Sequence, residues 1–196
     1  LSLPFAWADF GKQLAFSIVS FSSWLVLYNF VLVFFSVLKP DINEARGWRH
    51  FLRGQLGIID RLPNLLKIPL TLTLGASVHY GAAWWLLRLN IMPPQTPEAL
   101  MHLSSGMAIL DLRVVAWCAM TVLGLYILNS YIYFGGQKFW KIIESSGQCL
   151  LRPFHLIPMK WGKVDFTPLA GLALTWGSVL LIQPEQLNWL YQRLVG

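Results

Sequence analysis

The segment Leu14–Leu38 reads LAFSIVSFSSWLVLYNFVLVFFSVL and contains no charged residue. As a helix it would be about 37 Å long, which exceeds the hydrocarbon core of a bilayer, about 30 Å thick. Lys39-Pro40-Asp41 ends the run with two charges and a residue that disrupts helices. This stretch therefore predicts a membrane-spanning helix, and the rest of the chain is interpreted from it.

Three further uncharged runs follow, and with the first they predict transmembrane helices at 14–38, 68–87, 114–134 and 166–182. The composition agrees, because 56% of the residues are hydrophobic and only 12% are charged. Soluble domains have roughly 45–50% apolar and about 25% charged residues. Four buried helices of a soluble protein would be unusual in so short a chain. We therefore predict an all-α membrane protein with a single membrane domain over residues 1–196.

The positive charges are concentrated in two connections. The segment 39–67 carries six Lys or Arg and the segment 135–165 carries five, whereas Arg88–Arg113 carries two and each terminus one. By the positive-inside rule both basic loops face the cytoplasm, or the stroma of a plastid, and both termini face outward. This predicts a bacterial inner membrane or a plastid or other organellar inner membrane. The same distribution explains the net charge of +6 without a nucleic-acid partner.

The two halves of the chain share an order of features. Each has a spanning helix, a basic loop and a second spanning helix that begins near a proline, Pro69 or Pro168. Asn29 and Asn129 recur at almost the same interval as the prolines. We therefore predict two tandem two-helix repeats.

The basic loops have helical periodicity. In Glu44–Leu66 and Gln137–Leu151, apolar residues recur every three or four positions with cations between them. Such a helix lies in the headgroup plane against anionic lipid, or packs against a partner subunit, and the sequence leaves both open. A further interfacial helix is predicted on the outer side at 185–195. The residues expected to face lipid or a partner are Trp48, Arg49, Arg53, Lys138, Trp140 and Lys141.

The stretch Leu150–Leu169, LLRPFHLIPMKWGKVDFTPL, combines a proline-bracketed basic segment with Gly-Lys-Val-Asp-Phe-Thr-Pro. It resembles the signature of the YggT family (YggT/YlmG-like small membrane proteins of bacteria and plastids), and the first half of the chain lacks this wording. The resemblance implies two helical halves and a role in membrane organisation or in the maturation of membrane complexes. It carries over a structural motif onto Leu151, Arg152, Pro153, Pro158, Gly162, Asp165, Thr167 and Pro168. Within it, Thr167 is expected to cap the fourth span, and Asp165 to cap it or to pair with Arg152 or Lys163.

Three polar residues inside the predicted spans are candidate site residues: Asn29, His79 and Asn129. The two amides are expected to form hydrogen bonds across helices, or to line a solute path. His79 is the candidate of most interest, because an ionisable group at mid-depth is a functional-site hypothesis. A neutral histidine bonded to a neighbouring helix is the simplest interpretation. Haem would need a second imidazole at similar depth, whereas chlorophyll needs only one axial ligand.

No chemical motif of an enzyme is present in the sequence, and no carboxylate lies within a predicted span. No His or Cys pair has the spacing of a zinc site. We therefore predict a non-catalytic membrane scaffold, assembly factor or accessory subunit, whose partners are lipids and other membrane subunits and which needs no cofactor beyond bound lipid. The alternatives are a small channel or solute transporter and a pigment-binding subunit that uses His79.

Overall fold

A computed structural model describes residues 10–38, 46–132, 137–153, 160–161 and 164–183. Within these residues the regular secondary structure is helical except for one short antiparallel hairpin. The elements are α1 (Phe10–Leu38), α2 (Arg46–Leu56), α3 (Ile58–Arg61), α4 (Asn64–Arg88), α5 (Pro97–Tyr131), α6 (Lys138–Leu151), β1 (Lys160–Trp161), β2 (Val164–Asp165) and α7 (Thr167–Leu181). The predicted all-α class is confirmed.

Two of the helices, α1 and α5, are long and apolar enough to cross a membrane. They contain 29 and 35 residues, whereas α7 is apolar but contains only 15. Helix α4 has 25 residues and includes threonines, a serine and His79 along its length. The four predicted spans therefore correspond to helices, but only two of these helices have both the length and the apolar character of a span.

Helix α5 begins much earlier than the sequence pattern predicted. Its first residue is Pro97, and the preceding Thr96 caps it by accepting a hydrogen bond from the backbone N–H of Ala99 (3.2 Å). Proline is suited to the first helical position because no N–H is needed there. Residues 97–113, predicted as a connection, are therefore part of a continuous helix. The prediction took Arg113 as the end of a span, although a single charge does not end a helix.

Both amphipathic helices pack against the C-terminal part of α1. Leu52 and Leu56 of α2 are buried against Leu32 and Val33 of α1. A second cluster joins Phe34 and Leu38 of α1 to α5 and to the partly buried Cys149 and Leu150 of α6. We call this region, formed by the C-terminal part of α1 with α2, α3 and α6, the basic end of the bundle. The two basic segments are thus brought to the same end.

The remaining helices pack side by side, α4 against both α1 and α5, and α5 against α7. Much of the outer surface is apolar. In the most hydrophobic 18-residue stretch of α1 only 28% of the residues are buried, and in that of α5 only 22%. Large side chains such as Phe21, Trp24 and Leu181 are mostly exposed. Extended apolar surfaces of this kind mark contact with a membrane or with another protein.

Candidate functional site

The basic end contains a buried charged residue. Lys67, in the first turns of α4, is 0% exposed, and its Nζ donates to Ser36 Oγ of α1 (2.7 Å). The same Nζ lies 3.7 Å from Oδ1 of Asp60 in α3, and Ser36 Oγ donates to that oxygen (2.6 Å). We call Ser36, Asp60 and Lys67 the Lys67 cluster. It connects three helices through one ammonium, one hydroxyl and one carboxylate.

Local backbone geometry brings Asp60 to this position. Gly57, with φ of 54°, separates α2 from α3, and this left-handed conformation is one that glycine adopts at little cost. After the single turn of α3, Pro63 is extended, with φ of −57° and ψ of 143°, and leads into α4. The chain therefore turns twice within a few residues. These turns place Asp60 between the end of α1 and the start of α4.

Electrostatics explains why the cluster tolerates burial. An isolated buried ammonium is costly, and a paired, hydrogen-bonded one is much less so. The carboxylate of Asp60 is 16% exposed and also lies 3.4 Å from Nε of Arg53. Burial raises the pKa of Asp60. The hydrogen bond from Ser36 and the charges of Lys67 and Arg53 together lower it by more than burial raises it, so the pKa of Asp60 lies below its ordinary value. Asp60 is therefore a carboxylate at neutral pH and balances Lys67.

A cavity of about 510 Å³ opens beside the cluster. We call it the arginine cavity, because three arginines contribute to its lining. Arg53 and Arg61 are exposed and Arg49 is half-buried. The complete lining is Phe35, Ser36, Arg49, Leu52, Arg53, Asp60 and Arg61. With three guanidinium groups and one carboxylate, the lining is strongly positive.

A second polar pair lies within the bundle. Nε2 of His79 on α4 is 2.8 Å from Oδ2 of Asp111 on α5, and the two side chains are 7% and 13% exposed. Asp111 is therefore the partner on a neighbouring helix that the sequence left unnamed. The statement that no carboxylate lies within the spanning helices is wrong for α5 as it is observed. The Thr96-Pro97 helix start was the signal that could have placed Asp111 inside a helix.

Of the two predicted amide sites, Asn29 differs from the expected interhelical hydrogen bond. Asn29 donates from Nδ2 to the carbonyl of Leu25 one turn earlier on α1 (2.9 Å), and not across to another helix. Asn129 is half-buried near the end of α5. A short polar side chain such as that of asparagine can bond to the backbone of the preceding helical turn, and this local bond competes with an interhelical one.

The residues expected to face lipid or a partner fall into two groups. Trp48 packs inward, with its ring 5.5 Å from that of Phe35 on α1 and 5.6 Å from that of Phe51. Arg53 is 73% exposed. On α6, Lys138 is exposed, whereas Trp140 and Lys141 are half-buried. The apolar faces of both helices are thus directed mainly into the bundle, and their cations lie outside.

The motif that resembles the YggT signature is partly described. Leu151 and Thr167 are buried, Arg152 and Pro153 are exposed, and Pro168 occupies the first turn of α7. The predicted capping role of Thr167 is wrong: α7 already begins at Thr167, and the capping position belongs to Phe166, which makes no side-chain cap. The strands pair Lys160 with Asp165. Pro158, Gly162, Lys163, the side chain of Asp165 and the predicted 185–195 helix lie outside the described residues.

Over the part of the chain that the structure describes, no group of three His, Cys, Asp or Glu side chains is close enough to hold a metal ion. His79 is the residue whose ring could ligate a haem or a chlorophyll, but its Nε2 is already bonded to Asp111. No family model, curated protein or solved structure matches the chain. The resemblance to the YggT family is therefore a prediction that rests on the motif residues alone.

Proposed function

We propose that this chain is a non-catalytic integral membrane protein that acts as a scaffold, an assembly factor or an accessory subunit of a larger membrane complex. One observation carries the proposal: α2 and α6 pack at the same end of a helical bundle whose sides are largely apolar. A bundle with apolar sides is suited to lipid, and a cationic end is suited to a membrane surface or to an acidic partner.

The proposal includes a topology. We infer four spans, arranged as two tandem two-helix repeats, with the basic end in the cytoplasm or plastid stroma and both termini outside. The repeated order of long helix, amphipathic helix and second helix supports it. The positive-inside rule supports the orientation. With 15 residues, about 22 Å, α7 would require a locally thinner bilayer or the flanking residues to complete its span.

The packing of the amphipathic helices favours a scaffold over a free membrane-surface helix. Because Leu52, Leu56 and Ile143 are buried, the outward faces of α2 and α6 are mainly polar, and each carries one exposed cation, Arg53 or Lys138, beside an exposed phenylalanine. Such faces recognise negative charge on a neighbouring surface, which lipid headgroups or acidic protein segments can supply. Charge of this kind steers association more than it adds affinity. A YggT-like role in membrane organisation would fit this arrangement.

The experiment is extraction of the full chain from its membrane in a mild maltoside detergent, followed by size-exclusion chromatography and mass spectrometry. A charge-reversed variant, Arg49→Glu with Lys138→Glu and Lys141→Glu, serves as the comparison. We expect the wild-type chain to elute in one defined complex of constant stoichiometry, and the variant to elute alone. Elution of the wild-type chain alone from every preparation would contradict the scaffold proposal.

A second candidate, a small channel or solute transporter, is favoured by the His79–Asp111 pair. Buried ionisable pairs between helices occur in proton relays and ion paths. The test is ion or proton flux into vesicles that contain the purified chain alone. Flux that His79→Ala or Asn29→Ala abolishes would support transport. Absence of flux with the wild-type chain would remove this candidate.

A further inference from the structure

We propose that the face of α5 around Arg113 binds a transmembrane helix of another subunit, one that carries an aspartate or a glutamate near the middle of its span. The inference rests on the proposed function, because it names the kind of partner that an accessory subunit of a membrane complex would have. We call this surface the Arg113 face. It consists of Arg113 with Ile109, Trp117 and Met120, which recur along the helix at spacings of three and four residues.

Arg113 lies near the middle of the bundle. Helix α5 runs from Pro97 to Tyr131, so Arg113 is about 24 Å along the helix from its start and about 27 Å from its end. Its neighbour Asp111 is paired with His79, which is an interior residue of α4. Arginines near the ends of spanning helices extend to the headgroups, but Arg113 is not near an end. In the proposed topology it lies where ionisable residues are rare and pair with one another.

The charge of Arg113 is not balanced by a contact within the part of the chain that the structure describes. Its Nε is buried without a hydrogen-bond partner there, and its guanidinium forms no ion pair with a described residue. Asp111 is two residues earlier on α5, and residues at that spacing do not face each other on a helix. The carboxylate of Asp111 is directed to His79 instead. A guanidinium in this position needs a partner, because an unpaired charge in an apolar environment is costly.

The helices packed against α5 offer no counter-charge at this level. Within their described residues α1, α4 and α7 contain no aspartate or glutamate, and α6 contains only Glu144, which is exposed at the basic end. On α7 the hydroxyls of Thr175 and Ser178 donate to carbonyls of their own helix. The described helices therefore supply no anion to the Arg113 face.

The Arg113 face is open to a neighbouring helix. Ile109 and Trp117 are 39% and 43% exposed, and Arg113 is half-buried. Gly106 and Gly124 lie on the same side of α5, and a Cβ built at either would meet nothing within 4 Å. Small residues let helix backbones approach closely in a membrane. An apolar helix can therefore rest here and bring one carboxylate to the guanidinium, whose planar fork binds both carboxylate oxygens at once.

A partner with an acidic residue fits this face better than a second copy of the chain or lipid. A symmetric dimer through the face would bring its two arginines together, and like charges repel strongly in a medium of low dielectric constant. Lipid acyl chains carry no charge, and lipid phosphates lie at the headgroup layer, away from the middle of α5. The charge of Arg113 therefore selects a helix with a carboxylate at the same depth.

The probe is a synthetic transmembrane peptide of about 20 leucines with lysines at both ends and one glutamate at its centre. A second peptide has glutamine in place of the glutamate, and a third has the glutamate moved to one end. Association with the labelled full chain is measured by energy transfer between fluorophores, in maltoside detergent and in phosphatidylcholine vesicles. The measurement uses these defined peptides, so it does not require the native partner.

The decisive variant is Arg113→Gln, and Arg113→Lys keeps the charge. Arg88→Gln is the matched control, because it removes one arginine from the end of α4, where the guanidinium lies 5.0 Å from the centre of the Trp84 ring. We expect the central-glutamate peptide to bind the wild-type chain at least roughly tenfold more tightly than the glutamine peptide, because a buried charge pair contributes that much to affinity. Arg113→Gln should abolish this preference, whereas Arg113→Lys and Arg88→Gln should keep most of it.

A stability measurement shows whether Arg113 is used within the chain itself. Replacing an unpaired buried charge with an apolar side chain does not remove a favourable contact. The isolated Arg113→Met chain should therefore unfold in detergent at the same temperature as the wild-type chain or at a higher one. A lower unfolding temperature would assign the arginine to the fold and would overturn the proposal.

The peptide results decide the remainder. Equal binding of the glutamate and glutamine peptides, or equal losses in Arg113→Gln and Arg88→Gln, would overturn the proposal. Equally strong binding of the peptide with glutamate at its end would indicate general charge attraction and would also overturn it. If the wild-type chain elutes alone from every membrane preparation, the scaffold proposal fails, but a preference for the central glutamate that depends on Arg113 still supports this face. The two failures are thus distinguishable.

Discussion

The two amphipathic helices are attached to the bundle by different means. In the first half, α2 packs on α1 through Leu52 and Leu56, and the adjoining α3 is tied to α1 and α4 through the Lys67 cluster. In the second half, α6 approaches α5 so closely that a Cβ added at Gly147 would lie 2.6 Å from Cγ of Tyr126. Besides the apolar contacts that both helices make, the first attachment includes a compensated buried charge and the second requires the absence of a side chain at Gly147. Similar helix placements can thus be reached by unrelated interactions, and each should fail under a different perturbation.

The largest effect is expected for Asp60→Ala. The substitution removes the carboxylate that lies beside the fully buried ammonium of Lys67. Removing one partner of a buried ion pair typically costs about 3–5 kcal/mol of unfolding free energy. The measurement is equilibrium unfolding in detergent.

The matched control is Glu144→Ala, which removes an exposed carboxylate from α6. We expect it to change the unfolding free energy by less than about 0.5 kcal/mol. Adding Lys67→Met to Asp60→Ala should recover part of the loss, because the buried positive charge is removed as well. Similar stability of Asp60→Ala and Glu144→Ala would show that the cluster does not hold the first half together.

The next largest effect is expected for Gly147→Ala. The new methyl group would overlap the ring of Tyr126, and overpacking of this kind costs about 1–3 kcal/mol. Gly81→Ala is the control, because nothing lies within 4 Å of a Cβ at that position and alanine favours the helix. We expect thermal unfolding to be lowered for the first variant and unchanged or raised for the second. Equal behaviour would mean that α6 is not closely packed on α5.

Acid should affect the two attachments unequally. Because the pKa of Asp60 is lowered on folding, its stabilising contribution is complete above its ordinary pKa of 3.8 and is lost as the pH falls through the lower folded-state value. Unfolding free energy measured from neutral pH to below pH 3.8 should therefore decrease more in the wild-type chain than in Asp60→Asn. Parallel pH profiles for the two proteins would contradict this role of Asp60.

The smallest effect is expected for Arg53→Ala. Its guanidinium is 73% exposed, and exposed ion pairs contribute about 0.2–1 kcal/mol. The substitution should lower the unfolding free energy by an amount within that range, and this loss should be smaller at high salt because salt screens exposed charges. A loss of unfolding free energy comparable to that of Asp60→Ala would indicate that Arg53, and not Lys67, is the main charge partner of Asp60.

The helical class was predictable from local sequence, but some helix limits were not. The uncharged stretch ending at Leu38 ends where α1 ends. Helix α5 extends well beyond its uncharged stretch, and within it Asp111 pairs with His79 of α4, a contact that no local pattern reports. Charge marks the limits of a hydrophobic run, and capping residues such as Thr96 mark the limits of a helix.

The site was predictable only in outline. The periodicity of the basic loops identified Arg49 and Arg53 as cations on amphipathic helices, and both line the cavity. The pairing of Lys67 with Ser36 and Asp60 was not predicted, because Lys67 was interpreted as the boundary of a span. Partners in such a cluster are chosen by helix packing, and residues far apart in sequence give no periodic signal. The inward position of Trp48 likewise depends on the presence of α1 beneath it.

Helix α5 is longer than a bilayer needs. Its 35 residues give a length of about 52 Å, against a hydrocarbon thickness of about 30 Å. In a bilayer the excess is taken up by tilt or by a segment that projects into water. Asp111 belongs to the same continuous helix, so in the proposed topology lipid acyl-chain length is expected to change how far the His79–Asp111 pair lies from the aqueous phase. In that topology we expect the hydration of the pair to change with the choice of lipid, without any change of sequence.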